Sequence, residues 1–354
     1  MSHYSLVAIS LLAQGPLAAL GDGVLPVPPI DDREPPISDA VTPPSLQSSL
    51  EVTVDAVLQS LPTVDPLQPQ FARAIATQNS VQNSTRQALQ PNAPLFPFSP
   101  VRLSVPSSWR PVSGMQLFQQ RLTALKAGKI YTRLPANSFA EQWRKATEHP
   151  THEQWQWLLQ LEAKAIANGQ GNNSLNILVG DSLSVWFPHD RLPQGKLWLN
   201  QSVSGEATRH IIKRLPFLQP TQPDRVFVLA GINDLRQGAS DTVIINNWRA
   251  IVKTLRQQHP QSEIVLQSLL PTRLKALPNH RIRNLNRHLA AIARVEGATY
   301  LDLHHLFTNE EGELEKAYTT DGIHLSDRGY LVWQQALEWY DAPQKLENNY
   351  HAAL

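Results

Sequence analysis

A doubly wound α/β domain is predicted for the C-terminal half of this 354-residue chain. Three observations predict it. From Asn172 onward, short apolar runs alternate with helical stretches over about 170 residues, the pattern of a parallel sheet covered on both faces. The runs at Leu175–Val179, Lys196–Ser202, Arg225–Ala230, Glu263–Leu269 and Thr299–Leu303 read as strands, with helices at Glu206–Leu215, Asp241–Gln258, Arg281–Val295 and Asp327–Trp339. A domain of that size buries about 70% of the surface its unfolded chain exposes, enough to stand alone.

The elements before this domain are of a different material. Of 28 prolines, 17 fall in residues 1–112, and lysine first appears at Lys126. Residues 1–24 are apolar, but Gln14 and Gly15-Pro16 interrupt them and no Lys or Arg occurs before Arg33. They suit a signal peptide or membrane anchor no better than an apolar helix packed elsewhere. Export or membrane tethering is the expectation that follows, with a cytoplasmic location left open. Residues 25–112 carry Pro28-Pro29, Pro35-Pro36 and Pro43-Pro44 among many Gln, Ser and Thr, and read as a largely disordered linker.

Residues 113–171 read as a helical segment packed on the domain that follows. Phe118, Leu122 and Leu125 form an i, i+4, i+7 stripe. Ser138-x-x-Glu141 and Thr151-x-x-Gln154 have the form of capping boxes, the second opening a helix from His152 to Asn168. Trp143, Trp155 and Trp157 are read as packing aromatics, not as a sugar-stacking platform. Residues 172–342 form the α/β domain, and 343–354 a C-terminal tail.

Composition excludes several functions. Lys+Arg 31 against Asp+Glu 30 leaves no basic field for nucleic acid. With no cysteine there is no disulfide, thiolate nucleophile or Cys-ligated zinc. Neither a P-loop nor a metal-spaced His/Glu motif is present, so no cofactor or metal is expected.

In an open α/β sheet the site lies beyond the carboxyl ends of the strands. The first predicted strand is followed by Gly180-Asp181-Ser182-Leu183, the second by Ser204-Gly205, and the third by Gly231-Ile232-Asn233-Asp234. The last leads into a loop ending in Asp321-Gly322-Ile323-His324. This set suffices for acyl transfer. Ser182 is a nucleophile that needs a base, His324 can be that base, and Asp321 can fix its tautomer. The backbone N–H groups of Ser182 and Gly205 and the Asn233 amide can hold an oxyanion. A glycine at position 205 also leaves room for close approach of substrate.

These four blocks, in this order, resemble those of the SGNH (GDSL-type) esterase/lipase family. The resemblance covers residues 172–342. It implies a flavodoxin-like, three-layer α/β/α fold with five parallel strands, and a metal-independent serine hydrolase that cleaves carboxylic esters through an acyl-serine intermediate. The α/β-hydrolase elbow Gly-x-Ser-x-Gly is not matched, because Ser184 stands where its second glycine would be.

Candidate substrates are acyl esters, acetylated carbohydrates, and lysophospholipids or thioesters. Acyl transfer to a sugar hydroxyl would use the same residues, and a non-catalytic binding module is the competing class. Several neighbours are assigned supporting parts. Asp181 and Asp234 are read as bonding local backbone, and Asp302 as satisfying the sheet edge. His304-His305 is read as packing or solvent-exposed, not metal-binding. Trp186 and Phe187 line an acyl pocket or pack the domain, and His210 and Arg214 form a solvated face.

Overall fold

The structure, a computed structural model, describes residues 109–341. The apolar segment 1–24, the tail 343–354 and all but the last four residues of the linker therefore lie outside the described residues. The chain first builds a helical layer: α1 (Gly114–Lys126), the short α2 (Ala140–Trp143) and α3 (His152–Gly169). The α/β domain then runs β1 (Leu175–Gly180), α4 (Ser182–Val185), β2 (Leu197–Ser202), α5 (Thr208–Arg214) and β3 (Arg225–Leu229). It continues with α6 (Ile232–Arg236), α7 (Asp241–Gln258), β4 (Glu263–Gln267), α8 (Asn279–Val295), β5 (Thr299–Leu301), α9 (His304–Phe307) and α10 (Asp327–Asp341).

The five strands are parallel, in the order β2-β1-β3-β4-β5. Because side chains alternate along a strand, each strand feeds two cores. Ile177, Val179, Val226, Val228, Ile264 and Leu266 pack with residues of α3, α5, α7 and α8 on one face. Leu178, Trp198, Phe227, Val265 and Leu301 pack with α10 on the other, where Trp198 and Phe227 stack at 5.7 Å. This is the three-layer α/β/α architecture. Strand order reverses between β1 and β3, so the crevice expected of such a sheet lies over their carboxyl ends.

Three strands stop earlier than their apolar runs suggest, β3 by one residue and β4 and β5 by two. Leu269 is claimed by Asn286 of α8, which accepts from its N–H at 2.8 Å and donates to its carbonyl at 2.9 Å. Ser268 N–H closes the ladder on Leu301 O, beyond which the chain turns into α9. Helix α5 ends at Arg214 because Leu215 precedes Pro216, and the chain tightens into a 3-10 turn there.

The helical layer covers the outer edge of β2. Along that edge every second carbonyl points outward, at Lys196, Trp198 and Asn200. Arg133 donates to the first at 3.3 Å, Thr132 to the second at 2.6 Å and Arg121 to the third at 2.7 Å. Arg121 is fully buried and also donates twice to buried Glu162 of α3. That pairing rotates α1 away from the expected stripe. The buried face is Leu117, Gln120, Arg121 and Ala124, while Phe118, Leu122 and Leu125 are only partly buried.

The Thr151–Gln154 capping box forms, with both reciprocal bonds present. The Ser138–Glu141 box does not. Phe139 takes a left-handed φ of 61° at the start of α2, and Ser138 instead uses its carbonyl to accept from Gln120 and Trp143. Trp143 is buried, Trp155 is packed edge-on against Phe118 at 5.2 Å, and Trp157 is exposed.

Candidate active site

The site is assembled at the reversal point of the sheet. β1 ends in Gly180, and only glycine fits there: a Cβ would lie 2.4 Å from the Leu229 carbonyl of β3 and 2.6 Å from Ser184 Oγ. The close approach brings the ends of β1 and β3 together and starts α4 at Ser182. Asp181 caps that helix by accepting from Leu183 N–H at 3.1 Å. Ser182 is buried, and its Oγ lies 3.2 Å from His324 Nε2.

His324 reaches the serine from the connection between α9 and α10. Its Nδ1 lies 2.6 Å from Asp321 Oδ2, while Asp321 Oδ1 accepts from the backbone N–H groups of Ile323 and His324 at 3.0 and 2.8 Å. The three-residue spacing thus lets one carboxylate hold both the turn and the imidazole. Partial burial pushes the Asp321 carboxyl up, but the bonds it accepts from the His324 side chain and from the two backbone groups outweigh this and hold it below the usual range.

Gly205 follows β2 with φ +82°, a left-handed conformation that explains the glycine directly. A Cβ at that position would meet no atom within 4 Å, so the space beside it is open. Asn233 follows β3 at the start of α6. Its amide nitrogen donates to the Glu206 carbonyl at 3.1 Å and its oxygen accepts from Arg236 at 3.2 Å. These two bonds fix the orientation of the amide.

A buried polar frame stands behind these groups. Glu206 accepts from Arg214 Nε at 2.6 Å and meets His152 Nε2 of α3 at 2.9 Å. Arg214 also donates to the carbonyls of Gly180 and Gln201, tying together the ends of β1 and β2. This corrects the solvated-face expectation for Arg214, which is buried. The signal was present in the sequence: Ala207, Ile211 and Leu215 mark the inner face of α5, and Arg214 lies on it. His210 is partly buried, and its Nδ1 accepts from Ala207 N–H.

Asp234 is also corrected. It does not bond local backbone but receives both the N–H and the hydroxyl of Thr208, 26 residues earlier, linking the β3 end to α5. Asp181 does bond local backbone, yet its Oδ2 is buried with no hydrogen-bond partner. Desolvation pushes the Asp181 carboxyl up to about 7, against the bond from Leu183 and the nearby His324, and the charges of Asp234 and Glu206 add to the rise. Asp302 accepts from Ser268 Oγ and His305 N–H, while His304 is buried against Thr308. Phe187 packs in the core and Trp186 is partly buried. Among the described residues, no three His, Asp or Glu side chains cluster as a metal would require.

Residues 166–332 match the GDSL-like lipase/acylhydrolase family. The chain carries a GDSL-like acylhydrolase domain. As such it is a hydrolase acting on esters. This acylhydrolase is 25% identical over 167 residues to the platelet-activating factor acetylhydrolase IB subunit alpha2 of Gallus gallus, covering 44% of this chain and 70% of that one. It is 28% identical over 122 residues to an N-acylneuraminate cytidylyltransferase of Escherichia coli, but spans only 27% of that protein and 32% of its own length. A GDSL-like lipase from Bacteroides thetaiotaomicron superposes with a TM-score of 0.46 at 17% identity, covering 52% of this chain and 96% of that one. The helical layer at 113–165 lies outside the family match.

Proposed function

We propose that the domain cleaves carboxylic esters by a double displacement at Ser182, with no metal in any step. The observation that carries this reading is the continuous chain Ser182 Oγ, His324, Asp321, with links of 3.2 and 2.6 Å. His324 Nε2 takes the hydroxyl proton as Oγ bonds to the ester carbon, and the carbonyl π electrons move onto oxygen. The oxyanion is held by the Ser182 and Gly205 N–H groups and the Asn233 amide. The C=O re-forms, the C–O bond to the alcohol breaks, and His324 returns its proton to the departing oxygen. Water then attacks the acyl-serine with His324 again as base, releasing the acid and restoring Ser182. Asp321 keeps the Nδ1 proton in place and stabilises the imidazolium, without becoming protonated.

Labelling with a fluorophosphonate probe, followed by peptide mapping, tests the reading. Covalent modification at Ser182, absent from Ser182→Ala, is the expected result. A folded protein that neither labels nor turns over a broad ester panel would refute the esterase and leave a binding module.

A further inference from the structure

Helix α6 is short, and its residues divide by task. Ile232 and Leu235 are buried in the core. Asn233 and Asp234 are buried and bond the segment after β2: Asn233 donates to the Glu206 carbonyl at 3.1 Å, and Asp234 accepts from Thr208 N–H at 2.8 Å. Gln237, just past the helix, donates to the Gly205 carbonyl at 3.4 Å. Side chains of one short stretch thus hold residues 205–208 from outside. Two of the proposed oxyanion donors, Gly205 N–H and the Asn233 amide, are tied to each other by these bonds.

Arg236 stands apart from this set. It is exposed, and its i, i+3 spacing places it beside Asn233 on the helix. Its Nη1 donates to Asn233 Oδ1 at 3.2 Å, and among the described residues its guanidinium pairs with no carboxylate. An asparagine amide has two N–H groups. The bond to Glu206 uses one and leaves the other for the oxyanion. A cation on the amide oxygen acts on that second N–H in two ways. It disfavours the flipped amide, in which NH2 would meet the guanidinium and the oxygen would meet the Glu206 carbonyl. It also draws electron density through the amide toward oxygen, which makes the nitrogen a stronger donor, as in any chain of linked hydrogen bonds.

We propose that Arg236 is a positioning residue of the oxyanion hole that acts through Asn233, its charged bond to Oδ1 fixing and polarising the amide that meets the oxyanion. The inference rests on the serine-esterase reading above. Negative charge develops on the substrate oxygen only as Ser182 Oγ bonds to the ester carbon. A better Asn233 donor is therefore worth more in the transition state than with the bound ester. Its loss belongs in kcat, with KM nearly unchanged. Solvent around the exposed guanidinium limits the effect to about three- to tenfold. Arg236 lies outside the four strand-end blocks, so nothing in their spacing marks it.

A double-mutant cycle tests this. With full-length protein, kcat and KM are measured on p-nitrophenyl acetate, a neutral ester, and on the anionic p-nitrophenyl hemisuccinate. The variants are Arg236→Ala, Arg236→Lys, Asn233→Ala and the Arg236→Ala/Asn233→Ala pair. Arg236→Ala should lower kcat by about three- to tenfold on both esters, and Arg236→Lys, which keeps the charge, should recover part of that loss. In the Asn233→Ala background the same change should cost less than about twofold, because the group it acts through is gone. Equal losses in the two backgrounds, or parent-like kcat in Arg236→Ala, overturn the inference in a protein that still labels at Ser182. A loss confined to KM and to the anionic ester also overturns it, making Arg236 a substrate-binding group. Failure of Ser182 to label refutes the esterase reading itself, and the role of Arg236 with it.

Discussion

His152 Nε2 of the helical layer and Glu206 Oε1 of the acylhydrolase domain meet at 2.9 Å, and the carbonyl of the same Glu206 accepts from Asn233. The layer thereby braces the residue that orients a proposed oxyanion donor.

His152→Ala should lower kcat by about two- to tenfold, the worth of one ordinary hydrogen bond, while the protein stays folded. Glu206→Ala should do more, since it leaves the Arg214 guanidinium buried without its carboxylate. A stability loss of about 3–5 kcal/mol in urea unfolding is expected for it.

Asn233→Ala removes the proposed side-chain donor to the oxyanion. A fall in kcat of about 10²–10³, or ~2.7–4 kcal/mol, should follow, with KM changing far less. Steady-state kinetics on one activated ester checks both numbers.

Asp321→Asn should cost less than Ser182→Ala or His324→Ala, because the aspartate orients the base and does not transfer the proton. It keeps an acceptor for the backbone N–H groups of Ile323 and His324, so the turn should survive. Equal loss from all three variants would show that Asp321 does more than orient.

The Asp181 carboxyl supplies a pH prediction. Its folded pKa, near 7, stands above the unfolded value near 3.8, so between these values the folded state holds a proton that the unfolded state has lost. By linkage the contribution of this group to stability falls as pH rises through that window, by at most about 1.4 kcal/mol per pH unit. Asp181→Asn keeps an acceptor for Leu183 and removes the titration. Urea unfolding at pH 5 and pH 8 should show a smaller alkaline loss in the variant than in the parent.

Much of the frame was legible because it is local. Five apolar runs, four strand-end blocks and the Asp321–His324 spacing are each contained within a few residues. Helix α7, at Asp241–Gln258, follows the sequence reading at both ends, aided by the Ser240 cap on Val243. What escaped was non-local charge. Arg121 pairs with Glu162 41 residues on, which turned α1 against its apolar stripe. Arg214 is buried because two strand ends need a donor, a demand that appears only after β1 and β2 are side by side. Asp234 likewise finds Thr208 across the crevice, where its sequence neighbours suggested a bond to local backbone.

The three outward carbonyls of Lys196, Trp198 and Asn200, which Arg133, Thr132 and Arg121 occupy along the β2 edge, have a consequence for any shortened form of the protein. A chain starting at the family match would keep the sheet and the serine but leave β2 as a naked outer strand. Such a strand is a template for another strand, and hydrogen-bonding partners would then come from a second molecule. The helical layer is thus a guard against self-association, and the smallest soluble unit should begin before α1.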